Sequence, residues 1–193
     1  MLNSPETLTD IYEAVWKKLE TAASTRHEGW HLVTVGTIRD NQPEMRTMVL
    51  RGTDRTNYQM WFHTDLRSPK VEDIRKNPKG SLLLYCPNHR WQLRLSGNFS
   101  LDSDSGQTDA SWKKTSNSAR RCYQGPFSPS SPSSNPSTNL PEGAVEPNTG
   151  REQFSRLIFH IESMDWLALN SEGHKRAKWH LKSGEPEGTW LNP

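Results

Sequence analysis

Arg46, Thr64, Ser68 and Lys70 are spaced so that three separate segments could deliver them to one anion. Arg46 opens the alternating run RTMVLRG, Thr64 ends YQMWFHT, and Ser68 and Lys70 flank Pro69 where a helical pattern starts. A helix start offers free N–H groups and the positive end of the dipole; Arg adds a planar fork and Lys a point charge. That set suits a phosphate. The same residue types also occur as solvated surface charges beside a plain Ser cap, and spacing alone leaves both readings open.

A second constellation is Arg90-Trp91-Gln92-Leu93-Arg94. In a strand Gln92 and Arg94 share one face, Trp91 and Leu93 the other, so an amide and a guanidinium would line a groove while the apolar pair feeds the core. The amide both donates and accepts, which suits the edge of a flavin or pyrimidine as well as water. A third is the basic run His174-Lys175-Arg176-Ala177-Lys178-Trp179-His180, compatible with a nucleotide or with a solvated strand face. His27-Glu28-Gly29-Trp30-His31 matches the H-E-x-x-H zinc pattern, but Gly29 and a strand pattern beginning at His31 deny it the helix it needs. We expect no metal site. No Gly-rich phosphate loop and no G-x-S-x-G elbow is present, so nucleophilic hydrolysis has no support.

The elements that position these residues follow from hydrophobic period. Leu8, Ile11, Tyr12, Val15, Trp16 and Leu19 repeat at helical spacing and predict an amphipathic helix over about 8–23. From His31 the period is two: HLVTVGTI, MRTMVLRG, YQMWFH, SLLLYC and RWQLRLSGNFSL read as strands. A short helix starts at Ser68-Pro69 and stops at Asn77-Pro78, and 107–122 is weakly helical. FSRLIFHI, MDWLALN and KRAKWHL add three short strands, giving seven or eight in all. The segment from Gln124 to Gly150 is too rich in Ser, Pro and Asn to pack, and we expect a long flexible loop over about 124–150. A small closed antiparallel barrel removes the sheet edges of so many strands.

Composition sets the remaining bounds. The chain has 193 residues, which suits one domain over 1–193, and only 32% hydrophobic residues but 8 Trp. A thin core rich in amphipathic aromatics suits a subunit that completes its burial against a second copy. A net charge of +2 gives no field that argues for nucleic acid as partner. An acidic N-terminal stretch without an apolar run, and no long apolar segment elsewhere, lead us to expect a cytoplasmic protein with no membrane partner. Cys86 and Cys122 are too few for a disulfide scaffold, and we expect both reduced.

The succession RTMVLRG, WFHTDLRSPKVEDIRKNPKGSLLLY and RWQLRLSGNFS resembles the pyridoxamine 5'-phosphate oxidase family and its FMN-binding relatives. The likeness covers most of residues 30–101 and resumes more loosely at FSRLIFHIESMDWLALNSEGHKRAKW. It implies a mainly β fold with flanking helices, a split antiparallel β-barrel of Greek-key type, and a homodimer with FMN at the subunit interface. It places Arg46 near the phosphate, the backbone of Thr47, Met48 and Val49 along the ring, and Arg51 near flavin and substrate. It matches His63 and Thr64 to the next strand's flavin contact, Lys70 to the phosphate lysine, Gln92 to a glutamine reaching FMN, and Lys178 to a basic position near the cofactor. Ser68 joins this set through the phosphate reading.

The departures matter more for the substrate than for the cofactor, where the loss of a phosphate donor at Pro69 and of an aromatic contact at Leu167 implies weaker FMN binding. Pro69 replaces an arginine that usually precedes the lysine, and Leu167 falls at a tryptophan position. The family's substrate-phosphate motif is matched only vaguely by Trp112 and Ser118-Ala119-Arg120-Arg121, and Lys175-Arg176-Ala177 stands in place of R-x-H. The expected function is an FMN-dependent oxidoreductase acting on a small-molecule substrate other than pyridoxamine phosphate, with no catalytic residue assigned. The rival is a non-catalytic flavin or haem binder in stress sensing, for which His89, His160, His174 and His180 supply candidate ligands.

Overall fold

The computed structural model of the chain describes residues 7–143, 146, 148–181 and 186–193. Helix α1 spans Leu8–Ser24 and opens on a capping box: Thr7 Oγ1 accepts from the Asp10 N–H at 3.1 Å, and the Asp10 carboxylate accepts from the Thr7 N–H at 3.3 Å. Its apolar stripe, Ile11, Tyr12, Val15, Trp16, Leu19 and Ala22, is buried. Each large side chain in that stripe contributes about 1.5–3 kcal/mol by leaving water, which fixes the helix over the sheet.

Two hairpins follow. β1 (Leu32–Arg39) and β2 (Gln42–Val49) pair through a two-residue turn in which Asp40 and Asn41 both have positive φ, as a primed hairpin turn requires. β3 (Gly52–Asp54) pairs with β4 (Gln59–Asp65). Helix α2 (Pro69–Lys76) carries Pro at its first position and leads into β5 (Lys79–Cys86) and β6 (Trp91–Asp102). Helices α3 (Gly106–Lys114) and α4 (Asn117–Arg120) occupy the weakly helical stretch. The chain closes with β7 (Phe154–Ala168), β8 (Lys175–His180) and β9 (Glu187–Leu191).

All strand pairings are antiparallel, in the order β2-β1-β5-β6-β7-β4-β3, with β8 on β7 and β9 on β8. β7 is the strand at which the sheet divides. One side of it pairs with β6 along almost its full length; the other pairs with β4 from Phe154 to His160 and with β8 from Ser163 to Ala168. The expectation of two short strands here is corrected to one of 15 residues. The polar step Glu162-Ser163 is a change of partner, not a turn, and the β6–β7 register shifts there between Ser96 and Gly97. Gly97 is required at this bulge, because a Cβ would lie 1.9 Å from the His160 carbonyl oxygen.

Among the described residues nine strands form where seven or eight were expected, β9 being recruited by its pairing with β8. Arg46, expected to begin a strand, lies in the middle of one, opposite Val35, because the tight turn extends β2 back to Gln42. The core rests on large aromatics, with Trp16, Trp30, Trp166, Phe62, Phe154 and Phe159 fully buried. That is how a chain of low apolar content fills its interior.

Candidate functional site

β2, β4 and the start of α2 enclose a pocket of about 550 Å³. β2 contributes Met45 to Val49, with Arg51 just beyond it; β4 contributes His63; the start of α2 contributes Ser68, Pro69 and Lys70. Strand alternation puts Arg46 on the same, more buried face of β2 as Met48, with Met45 and Thr47 exposed on the other. Thr64 adjoins the pocket: its Oγ1 accepts from Lys70 Nζ at 3.3 Å. Arg46 donates to Thr37 Oγ1 at 2.7 Å and to the Val35 carbonyl at 3.4 Å.

The electrostatics of this corner are unusual for a protein surface. Arg46 and Lys70 are half-buried, and among the described residues neither forms an ion pair. Burial lowers the Lys70 pKa, and the Arg46 charge lowers it further; burial also lowers that of Arg46. The carboxylates that could relieve them are engaged elsewhere. Asp65 accepts from Arg67 at 2.7 Å and Asp73 from Arg39 through both its oxygens at 2.9 Å. Ser68 is buried, stands at the helix N-cap and makes no side-chain cap bond, so its hydroxyl is not spent on the helix. Glu44 also lines the pocket but pairs with Arg39 at 3.3 Å. Two cations, two hydroxyls and a helix start thus converge with no carboxylate in ion-pair contact, an arrangement that suits a phosphate-like anion.

The other half of the pocket is less charged. His63 packs edge-on against Phe154, ring centroids 4.7 Å apart, and burial, with Arg51 and Arg156 adding to it, lowers its pKa to about 4. It is neutral at physiological pH. Burial raises the Tyr123 pKa, so its phenol stays protonated. Arg51 is exposed at the rim.

Of the residues singled out from sequence, the pocket therefore brings together Arg46, Thr47, Met48, Val49, Arg51, His63, Ser68 and Lys70, with Thr64 alongside. Gln92 and Lys178 lie elsewhere. Gln92 faces Tyr85 on β5 and Leu167 on β7; Lys178 lines a separate groove with Arg94 and Asp165. Met45 borders both pocket and groove. Sequence reasoning missed Tyr123, Pro129 and Ser130, which also line the pocket. No local pattern marks them, because their place depends on how the 124–150 segment folds back. Asn139 exchanges hydrogen bonds with the backbone of Phe127 (3.1 and 2.8 Å), and Arg67 donates to the Gly125 carbonyl at 2.7 Å. Positions 144, 145 and 147 of that segment lie outside the described residues.

The rival constellations disperse. His27-Glu28 and His31 sit between α1 and β1, where Glu28 pairs with Lys18 and His31 Nδ1 lies 2.7 Å from the Ala22 carbonyl. Among the described residues no cluster of three or more His, Cys, Asp or Glu could hold a metal ion. His89 contacts Cys86, His160 contacts Ser100 and Gln59, and His174 accepts from the Asn170 N–H. No described helix is long and apolar enough to cross a membrane.

Comparison with known proteins agrees with this geometry. Residues 13–102 match the family described as pyridoxamine 5'-phosphate oxidase, FMN-binding domain. A pyridoxine/pyridoxamine 5'-phosphate oxidase 2 of Arabidopsis thaliana is 26% identical over 172 residues, covering 82% of this chain and 85% of the relative. A crystal structure of a pyridoxamine 5'-phosphate oxidase-related, FMN-binding protein from Nostoc punctiforme superposes with a TM-score of 0.78 at 26% identity, covering 97% of this chain and all of that one. PhzG from Burkholderia lata, at 16% identity and a TM-score of 0.68, shares the fold. The chain is thus similar to the pyridoxamine 5'-phosphate oxidase-related FMN-binding split-barrel proteins, and FMN is the cofactor of the domain that its residues 13–102 match.

Proposed function

We propose that the protein is a cytoplasmic, homodimeric FMN-dependent oxidoreductase acting on a small molecule, with the phosphate of FMN held by Arg46, Thr64, Ser68 and Lys70. The observation that carries this reading is the pair of half-buried cations without a carboxylate partner in one pocket. The residues present fit the cofactor: a phosphate supplies the charge the pocket lacks, and the β2 backbone from Thr47 to Val49 supplies peptide groups for a flat, polar ring. When bound, FMN supplies hydride transfer at its ring, and the protein supplies orientation and exclusion of water.

On the substrate side, neutral His63 and the protonated Tyr123 offer hydrogen bonds without charge, and Arg51 offers one cation at the rim. Pro129 and Ser130 form part of the wall, so the 124–150 segment can cover a bound substrate. Arg120 and Arg121, the cations expected to hold a substrate phosphate, donate instead to backbone carbonyls: Arg120 to Trp112 at 3.1 Å and Lys113 at 2.9 Å, Arg121 to Pro141 at 3.0 Å. This supports a substrate that is not a phosphate ester.

Gln92 and Lys178 give the argument for two subunits. Neither lines the pocket, yet the groove that holds Lys178 adjoins it at Met45. Exposed apolar side chains on the same strands, Leu32, Met45 and Tyr85, suit a self-complementary face. Two-fold pairing there would bring Gln92 and Lys178 of one copy to the flavin of the other.

The test is the absorbance of purified protein after FMN addition and desalting, then bleaching with reduced nicotinamide. Flavin retained near one per chain and lost in the double variant Arg46→Ala/Lys70→Ala supports the site, and bleaching supports the reaction. Unchanged flavin content in the double variant would remove these residues from the phosphate site.

A further inference from the structure

A second cavity shares no lining residue with the flavin pocket. It encloses about 720 Å³ between α1, the turn joining β5 to β6 and the turn joining β7 to β8. One wall is aromatic. Trp91, half-exposed, meets the buried Trp166 edge-on with ring centroids 5.3 Å apart, and His89 stands 5.6 Å from Trp91 on the other side. The opposite wall is a face of α1, with Lys17 and Lys18 between the smaller residues Ala14 and Thr21.

The charges around this cavity are of one sign. Lys17, Lys18, Arg90 and Lys175 border it, against a single carboxylate, Glu28, which Lys18 already engages. Lys18 also lies over the Trp30 ring at 5.4 Å. Among the described residues Lys17, Arg90 and Lys175 make no ion pair. Trp166, which lines the cavity, is 2% exposed, and its indole N–H has no acceptor, as is also true of Trp16, Trp30 and Trp112. An aromatic wall and three cations without carboxylates ask for the same thing: a flat ring bearing a negative group.

We propose that this cavity is a second small-molecule site, specific for a planar aromatic anion that stacks on Trp91 and sets its charge among Lys17, Arg90 and Lys175. The site belongs to one chain and does not depend on the flavin pocket or on the reaction performed there.

The experiment uses the FMN-loaded protein and two probes of one shape, 1-naphthoate and neutral 1-naphthylmethanol, followed by equilibrium dialysis with the flavin spectrum recorded throughout. The expected result is saturable binding of naphthoate, one per chain, about tenfold tighter than the alcohol. Affinity falls about tenfold in Lys17→Ala/Lys175→Ala and also falls in Trp91→Leu, while the flavin spectrum does not move. If Trp91→Leu does not fold, the lysine variant decides alone, since those side chains have no structural partner among the described residues. Equal binding of the two probes, absence of saturable binding, indifference to the lysine variant, or a shift of the flavin bands on naphthoate addition would each overturn the proposal.

Discussion

Lys70 at the start of α2 and Arg156 on β7 are both cations withdrawn from water, and the chain treats them in opposite ways. Arg156, 4% exposed, has the Asp102 carboxylate at 3.1 Å, the Gln107 carbonyl within hydrogen-bond reach and the Trp61 ring at 4.7 Å. Lys70 has a threonine hydroxyl and the repulsion of Arg46. A folded chain neutralises the charges it buries for structure and leaves uncompensated those it keeps for a ligand. In this fold the guanidinium at the β6–β7 seam has a carboxylate beside it, whereas the two cations of the pocket at the start of α2 have none in ion-pair contact.

The contrast yields graded predictions. The largest effect is on cofactor affinity. Removing both unpaired cations in Arg46→Ala/Lys70→Ala should weaken FMN binding by about 3–6 kcal/mol, since charge-assisted hydrogen bonds contribute about 1.5–3 kcal/mol each, as read by flavin fluorescence titration. The converse holds at the seam. Asp102→Ala strands a buried guanidinium and should cost about 3 kcal/mol of stability by urea unfolding, while leaving flavin stoichiometry unchanged.

A third effect is set by pH. The His63 pKa is about 4 in the folded chain, below the unfolded value of 6.5, so the unfolded state binds the proton first as pH falls. The stability due to neutral His63 is therefore complete above about pH 6.5 and is lost progressively toward pH 4, on the order of 2 kcal/mol after allowance for partial exposure. His63→Gln should flatten that part of the unfolding midpoint against pH; an unchanged slope would count against a neutral imidazole. The smallest effect separates the two roles of Lys70. In flavin-free protein Lys70→Met removes a desolvated, repelled charge and should raise stability by up to about 1 kcal/mol, although it weakens FMN binding.

Local patterns carried much of this architecture. The stripe from Leu8 to Leu19, the alternation of LVTVGTI and Ser68-Pro69 at a helix start each report a preference that the tertiary structure keeps. The unity of β7 was not legible, because Glu162-Ser163 resembles a turn until β4 and β8 are known to pair on either side of it. Gathering Arg46, His63 and Lys70 into one pocket was foreshadowed by their types and by the family likeness. The lack of an ion pair to Arg46 and Lys70 was not, since Glu44, Asp65 and Asp73 are close in sequence and only the folded chain shows Arg39 and Arg67 engaging them. Tyr123 and Ser130 were invisible for the same reason: nothing local marks a loop residue that returns to a distant strand.

The most direct test of the central claim compares FMN with riboflavin, which differs by the phosphate alone. If the unpaired Arg46 and Lys70 form the phosphate site, the wild type should bind FMN at least about a hundredfold more tightly than riboflavin, and Arg46→Ala/Lys70→Ala should erase that preference while riboflavin affinity stays the same. Equal affinity of the wild type for the two flavins, or a preference for FMN that survives in the double variant, would contradict the account.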